Sequence, residues 1–365
     1  MTCADITTVK KAVKLAIEKK YPFYAYSLPG TTAVHMALSI ESTPHDKPDG
    51  HTPGFIMVPF ITGDYKQLFI KEELPIYSEK EIRILEKLQS RCIQNMPVPN
   101  IVTTYEEYRA GAEKLLETIK QGEIKKAVYS RTSEYKSRAI DAAPQWFDTI
   151  TRTYPSAFSF LVSVPGITTW MGATPELLLQ YADETVRTMA LAATKARSES
   201  REWSKKEDEE QQIVTRYIKE QFRKAGIEPD ISPREEYPAG PVTHLCNKIA
   251  AKGETFQKAR ELLKLMHPTP AVCGEPAEKA AAIITRLEKH DRRYYSGYLG
   301  PVKSDGSFSL FVNLRSMELF SERAQLYAGG GYTADSDIRS EWQETGHKIT
   351  TLLSCIDKKD EYYNR

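Results

Sequence analysis

Apolar residues Val9, Ala12, Val13, Ala16 and Ile17 fall on one face of a helix over residues 8–20. Two short apolar runs follow, PFYAYSLP and GFIMVPF, with the length and aromatic content of strands. Between them HDKPDGHTPG (45–54) is polar and rich in Pro and Gly, and reads as a loop. Ser78 is placed to cap a helix through Ile82, Leu85 and Leu88 to about Ile93. NMPVPN (95–100) reads as a hinge. A further helix is predicted from Thr104 to Lys120, with Tyr108, Ala112, Leu115, Leu116 and Ile119 on one face and Gly122 ending it.

Beyond the hinge, β-rich runs alternate irregularly with helical ones. KKAVYSR, AFSFLVSV, TTWMGA, ELLLQYA, VRTMALA, YYSGYLGPV, SFSLFVNLRSMEL and AQLYAGG read as strands. Segments 203–225, 255–265, 277–290 and 338–355 read as helices. Many strands without regular βα alternation predict an α+β fold with large antiparallel sheets. No internal repeat is visible. No G-x-G-x-x-G or P-loop stands at a strand–helix junction, so nucleotide binding is not indicated.

Composition narrows the function class. The chain has 365 residues, 41% apolar and 27% charged, with a net charge of +1. Nucleic-acid surfaces carry a basic excess, which this balance lacks. Cys3, Cys92, Cys246, Cys273 and Cys355 are odd in number and form no C-x-x-C pair, which favours a reducing compartment over a disulfide framework. No apolar run reaches the roughly 18 residues of a membrane span, and MTCADITTVKKAVK lacks a secretory apolar core. A cytoplasmic protein is expected, with no membrane or nucleic-acid partner.

Candidate chemistry lies in short charged motifs. In EWQETGHK, Glu341, Glu344 and Lys348 share a helix face; in KKEDEEQQIV, Glu207 and Glu210 stand one turn apart. Each motif alone also suits a solvated helix. Together they supply up to four hard carboxylate ligands of the kind Mg²⁺ takes, and no His/Cys cluster offers a zinc site. Arg315, at a strand position in FVNLRSMEL, is either a buried ion-pair member or an anion clamp. Gly329, Gly330 and Gly331 form a flexible turn or let backbone N–H groups approach an anion. HPTPAVCGEP is a rigid Pro-rich loop, structural or presenting His267 and Ala271 to a ligand. Lys126 opens KAVYSR and Glu176 follows Pro in GATPELLL; either is an acid–base candidate or a structural residue.

The order KAVYSR, GATPELLL, LAATKAR, SKKEDEEQQIV, HPTPAVCGEP, YYSGYLGPV, LRS, YAGGGYTADSD, EWQETGHK resembles the chorismate-binding enzyme family over residues 102–357. HPTPAVCG and EWQETGHK in this order are its most specific elements. The resemblance implies the chorismate-utilising fold around a central cleft. Residues 1–101 would be the N-terminal portion of that fold and 358–365 a tail. It also implies roles. Lys126 would be the general base that activates water, and Glu176 the acid that protonates the leaving hydroxyl. Glu210 and Glu344 would bind Mg²⁺ directly, with Glu207 and Glu341 supporting it. Arg315, Lys348 and the Gly329–Gly331 backbone would hold the substrate carboxylates. Ala193, Thr194, His267, Ala271 and Tyr295 would complete the pocket. Lys126 must be neutral to act as a base and Glu176 protonated to act as an acid. Two departures stand out: Ala193 where many relatives have Gly, and Gln211 after Glu210 where His is common.

Within the family, a lysine base favours water as nucleophile over the ammonia of anthranilate synthases. Ala192 stands where aminodeoxychorismate synthases often carry lysine. PFYAYSLP and GFIMVPF look like the N-terminal part of isochorismate synthases. The implied activity is isomerisation of chorismate to isochorismate for menaquinone or siderophore synthesis, by a monomer without a glutaminase subunit. Salicylate synthase is the nearest alternative; anthranilate or aminodeoxychorismate synthase and a non-catalytic chorismate-binding protein are the others.

Overall fold

A computed structural model describes residues 4–44, 50–61, 63, 65–94, 98–239 and 242–356. Cys3, the first half of the 45–54 loop, half of the expected hinge and the 358–365 tail lie outside the described residues. Among the described residues the helices are α1 (Ile6–Lys19), α2 (Glu79–Lys87), α3 (Tyr105–Lys120), α4 (Ala139–Thr153), α5 (Lys205–Lys224), α6 (Phe256–Met266), α7 (Ala277–Leu287) and α8 (Ile338–Ile356). The strands are β1 (Phe23–Ser27), β2 (His35–Leu38), β3 (Gly54–Val58), β4 (Leu68–Lys71), β5 (Leu74–Pro75), β6 (Lys126–Lys136), β7 (Phe158–Val164), β8 (Thr168–Thr174), β9 (Leu177–Ala182), β10 (Thr185–Ala196), β11 (Asp230–Ile231), β12 (Glu235–Ala239), β13 (Val242–Lys252), β14 (Gly274–Glu275), β15 (Tyr298–Val302), β16 (Phe308–Val312), β17 (Ser316–Leu319) and β18 (Arg323–Tyr332).

The strands form two antiparallel sheets. One runs β14-β6-β18-β17-β8-β7-β1-β2-β5; the other runs β11-β13-β10-β9-β16-β15-β3-β4, with β12 on β13. The expected α+β architecture is therefore present, and strands before residue 101 enter both sheets. Aromatic residues fill the space between the sheets, where Phe158 stacks on Phe311 at 4.1 Å. The first sheet's outer face is covered by α1, α2, α4 and α8 through Val13, Leu85, Trp146 and Leu352. The second sheet's is covered by α5 and α6 through Val214, Phe222 and Leu262. This layering explains why β7 is buried at every position: its two faces belong to two different cores. Among the described residues no helix is long and apolar enough to cross a membrane.

Local signals hold at most helix ends. Ser78, Thr104 and Ser204 form capping boxes with Glu81, Glu107 and Glu207. Three expectations fail for tertiary reasons. The helix from Ser78 stops at Lys87, not Ile93: residues 88–93 instead run along the end of α1, where Tyr21 and Lys20 donate to the carbonyls of Gln89 and Ile93. Helix α4 was not anticipated because Pro144 interrupts its pattern, yet Ala139, Ala143, Phe147 and Ile150 make one buried face. SFSLFVNLRSMEL is two strands in different sheets, so Arg315 lies in the crossover rather than in a strand, with φ 47°.

Candidate active site

Two crossovers between the sheets build the site. The chain leaves β8 of one sheet and enters β9 of the other through Pro175–Glu176, and returns from β16 to β17 through Arg315. Each crossover carries a charged residue into the gap, and the two are tied together: Val312 donates to the Glu176 carbonyl and Ala173 to that of Arg315. A cavity of about 360 Å³ opens there. It is walled by β10 and β13 on one side, by β18 on the other, and by α5 and α8.

The cavity gathers residues that lie far apart in the chain. Glu176, Ala193, Thr194, Glu207, Glu210, Ala271, Tyr295, Arg315, Gly329, Gly331, Glu341, Glu344 and Lys348 line it. Lys126 stands just behind them, fully buried at the start of β6, with its Nζ 2.8 Å from Glu210 Oε1 but outside hydrogen-bond geometry. Gly330 is not part of the lining. His267 is not either: its Nε2 lies 3.2–3.3 Å from the carbonyl oxygens of Phe60 and Pro59, and its ring meets Tyr298 edge-on at 5.0 Å. Burial drives its pKa down to about 4. This histidine ties the end of α6 to the strand β3 exit; the cavity wall is reached only at Ala271 and Val272.

Burial raises the Glu176 pKa to about 8 against the opposing pull of Lys126 and Lys348. The carboxyl therefore keeps its proton near neutrality. Burial likewise lowers the Arg315 pKa, and among the described residues no carboxylate lies within salt-bridge reach of its guanidinium. A deeply placed arginine facing a cavity without an acid partner is chemically suited to an anion. Lys348 bonds to Glu344 at 2.7 Å and to the Gly329 carbonyl at 2.8 Å.

The glycines serve the carboxylates. A methyl on Gly331 would fall 2.6 Å from Glu210 Oε1 and 3.5 Å from Lys126 Cε; one on Gly330 would fall 2.6 Å from Glu341 Oε2. Bare Cα positions thus let the Glu210 and Glu341 carboxylates reach β18. Gly331→Ala is expected to fold normally, since only a flexible carboxylate must move, and to lower turnover by about 10²-fold through the displaced Glu210; unchanged kcat would refute this role.

Ala193 sits in a β-bulge of β10 with φ 56°, the left-handed region. Holding an L-residue there costs about 1–2 kcal/mol, and glycine returns part of that as chain entropy. Ala193→Gly is expected to raise the melting temperature by about 1–3 °C; a lower one would contradict the strain. The bulge is held by a residue the sequence reading missed. His244 on β13 places Nδ1 2.9 Å from the Ala193 carbonyl, which can only accept, so Nδ1 carries the hydrogen. Its pKa, lowered to about 3 by burial and then by Arg315, keeps it neutral, and buried Nε2 has no hydrogen-bond partner among the described residues. His244 thus offers a lone pair to a ligand donor. VTHLCNKIAAK had strand character that would have exposed it. Arg201 was also missed; it grips Glu207 with two bonds of 2.8 Å.

Glu207 accepts from four donors, Arg201 Nη1 and Nη2 and the Ser204 N–H and hydroxyl. Burial acts to raise its pKa, but these donors outweigh it and hold the carboxyl below its ordinary value. Among the described residues no three His, Cys, Asp or Glu side chains form a ready metal cluster.

The profile of the family described as "Chorismate binding enzyme" matches residues 69–357. The chain belongs to the chorismate-binding enzyme family. The isochorismate synthase EntC of Escherichia coli K12 is 28% identical over 315 residues, 82% of this chain and 80% of that protein. The isochorismate synthase MenF of Haemophilus influenzae is 31% identical over 248 residues, 65% of this chain and 57% of its own length. The solved structure of MenF from Escherichia coli, a menaquinone-specific isochorismate synthase, aligns with a TM-score of 0.78 at 20% identity, covering 94% of this chain and 90% of that one. This chorismate-binding enzyme therefore shares the fold of that structure.

Proposed function

We propose that the protein is an isochorismate synthase, converting chorismate to isochorismate by adding water at C2 and expelling the C4 hydroxyl. One observation carries the reading: a buried carboxyl held protonated, Glu176, shares a cavity with an anion receptor, Arg315, and has a buried lysine at its wall. Chorismate is a dianion, and Arg315 and Lys348 supply positive charge for its carboxylates. Lys126 takes a proton from the attacking water as its oxygen bonds to C2. The ring double bonds shift, the C4–O bond breaks, and Glu176 gives its proton to the departing hydroxide, so water leaves. His244 Nε2 accepts a hydrogen bond from a substrate hydroxyl.

The donor set suits Mg²⁺: carboxylate oxygens alone, on α5 and α8, with Lys126 Nζ 2.8 Å from Glu210 and Lys348 Nζ 2.7 Å from Glu344. An ion that needs only one or two protein carboxylates does not need a preformed cluster of three. Glu210 and Glu344 would hold it and Glu341 would support it, while the four donors on Glu207 make that residue a helix cap first. Bound Mg²⁺ supplies charge neutralisation for a substrate carboxylate. Water as nucleophile removes the need for a glutaminase partner, and the product serves menaquinone or siderophore synthesis.

The test is a product assay with purified protein, chorismate and MgCl₂, resolved by chromatography. Isochorismate alone is expected, and EDTA is expected to abolish it. Salicylate with pyruvate would make the enzyme a salicylate synthase. Thermal stabilisation by chorismate without turnover would make it a binding protein.

A further inference from the structure

Arg131 joins the two motifs that supply the site's lysines. It closes KAVYSR, whose Lys126 opens β6, and it reaches EWQETGHK on α8, which ends in Lys348. Its side chain is buried between strand and helix. The guanidinium lies over the Trp342 ring at 3.8 Å, and Nε donates to Thr345 Oγ1 at 2.8 Å. Thr345 in turn donates to the Trp342 carbonyl at 2.8 Å, so both contacts fall on one turn of α8. A methyl on Gly346 would stand 3.5 Å from Arg131 Nη2, which places the guanidinium close against the helix.

This turn is where α8 needs a hold. Its C-terminal half is fixed by Ile349, Leu352 and Ile356 in the core on the first sheet's outer face. Its N-terminal half brings Glu341, Glu344 and Lys348 to the cavity lining, and Thr345 is the next residue round the helix from Glu344. A side-chain end about 6 Å from a helix axis moves about 1 Å for each 10° of roll. A displacement of about 1 Å is enough to cost up to roughly 10²-fold in rate. A planar guanidinium stacked on a ring and donating along Nε resists such a roll, because both contacts depend on orientation.

We infer that Arg131 is a positioning residue: by gripping Trp342 and Thr345 it sets the roll of α8, and with it the aim of Glu344 and Lys348 into the cavity. The inference rests on the reading of Glu344 as a metal ligand and of Lys348 as a contact for a substrate carboxylate. Arg131 itself is not part of the cavity lining.

Steady-state kinetics with chorismate and MgCl₂, paired with calorimetric titration of chorismate in a Glu176→Gln background that slows turnover, separates aim from stability. Arg131→Met is expected to raise KM about tenfold while kcat stays within about threefold, because Glu176 and Lys126 do not lie on α8. The calorimetric Kd is expected to weaken by the same factor. Thr345→Val keeps the side-chain shape and loses the hydroxyl; it is expected to raise KM about threefold, and to add nothing further when combined with Arg131→Met. A lower melting temperature with KM and Kd within about twofold of wild type in Arg131→Met would overturn the inference, since Arg131 would then support the fold alone. Additive effects of the two substitutions would also overturn it. Should Arg131→Met fail to fold, Thr345→Val decides, and unchanged KM and Kd in that variant would overturn the inference. A wild type that neither binds nor turns over chorismate is a different failure: it removes the proposed function, and the positioning role falls with it.

Discussion

Lys126→Ala is expected to lower chorismate turnover by about 10²–10⁴-fold, the usual contribution of a positioned general base. The lysine is fully buried at the first residue of β6, with its Nζ 2.8 Å from Glu210 Oε1. Lys348, the lysine lining the cavity among the described residues, sits at Glu344 and the Gly329 carbonyl and has the substrate carboxylates as its proposed partner. Substrate binding is expected to persist, because Arg315 and Lys348 are untouched. The variant should still be stabilised against heat by chorismate while single-turnover experiments show no water addition. Near-normal turnover would remove Lys126 as the base. Loss of chorismate-induced stabilisation would instead make it a binding residue.

The fold class was legible because most strands carry their own signal. Runs such as AFSFLVSV and ELLLQYA need no context to be read as β, and Ser204 with Glu207 marks a helix start by local chemistry alone. What local pattern could not carry is sheet membership. FVNLRSMEL reads as one strand because nothing local says that Val312 and Ser316 belong to different sheets; the break at Arg315 is imposed by closing the sandwich. Helix α2 ends early for a similar reason, since residues 88–93 gain partners just past the end of α1 that no local propensity encodes.

The site divides along the same line. Charged residues in motifs were visible as candidates, and the structure gathers Glu176, Glu210, Arg315, Glu344 and Lys348 at one cavity from two crossovers and two helices. Histidine was misplaced because HPTPAVCGEP is distinctive while VTHLC is plain. His267 is spent on backbone carbonyls at the back of the loop, and His244, in an ordinary buried strand, faces the chemistry. The glycine run was read as a flexible turn or an approach for an anion; it lies in β18, where Gly331 and Gly330 leave room for Glu210 and Glu341. Distinctiveness of a motif marks where the backbone is constrained, which need not be where the ligand sits.

Glu176→Gln should produce two effects with opposite signs. Turnover is expected to fall by about 10²–10⁴-fold, because Gln cannot protonate the departing C4 hydroxyl. Stability is expected to rise, and the gain should depend on pH. The carboxyl titrates near 8 in the folded chain, against an ordinary value of 4.5. Below 4.5 both folded and unfolded chains hold the proton, and the substitution changes little through this group. Between 4.5 and 8 the unfolded chain loses the proton while the fold retains it, so wild-type stability declines as pH rises. Each unit of that interval is worth about 1.4 kcal/mol, which amounts to a few kcal/mol by pH 8. Above 8 the folded carboxyl ionises too and the difference levels off. The melting temperature of Glu176→Gln relative to wild type should therefore climb from pH 5 to 8 and then stay flat. Wild-type turnover should descend over the same upper range as the acid form disappears. A melting-temperature difference that stays constant from pH 5 to 8 would show that Glu176 is ionised in the cavity, and an ionised carboxylate cannot serve as the acid for the C4 hydroxyl.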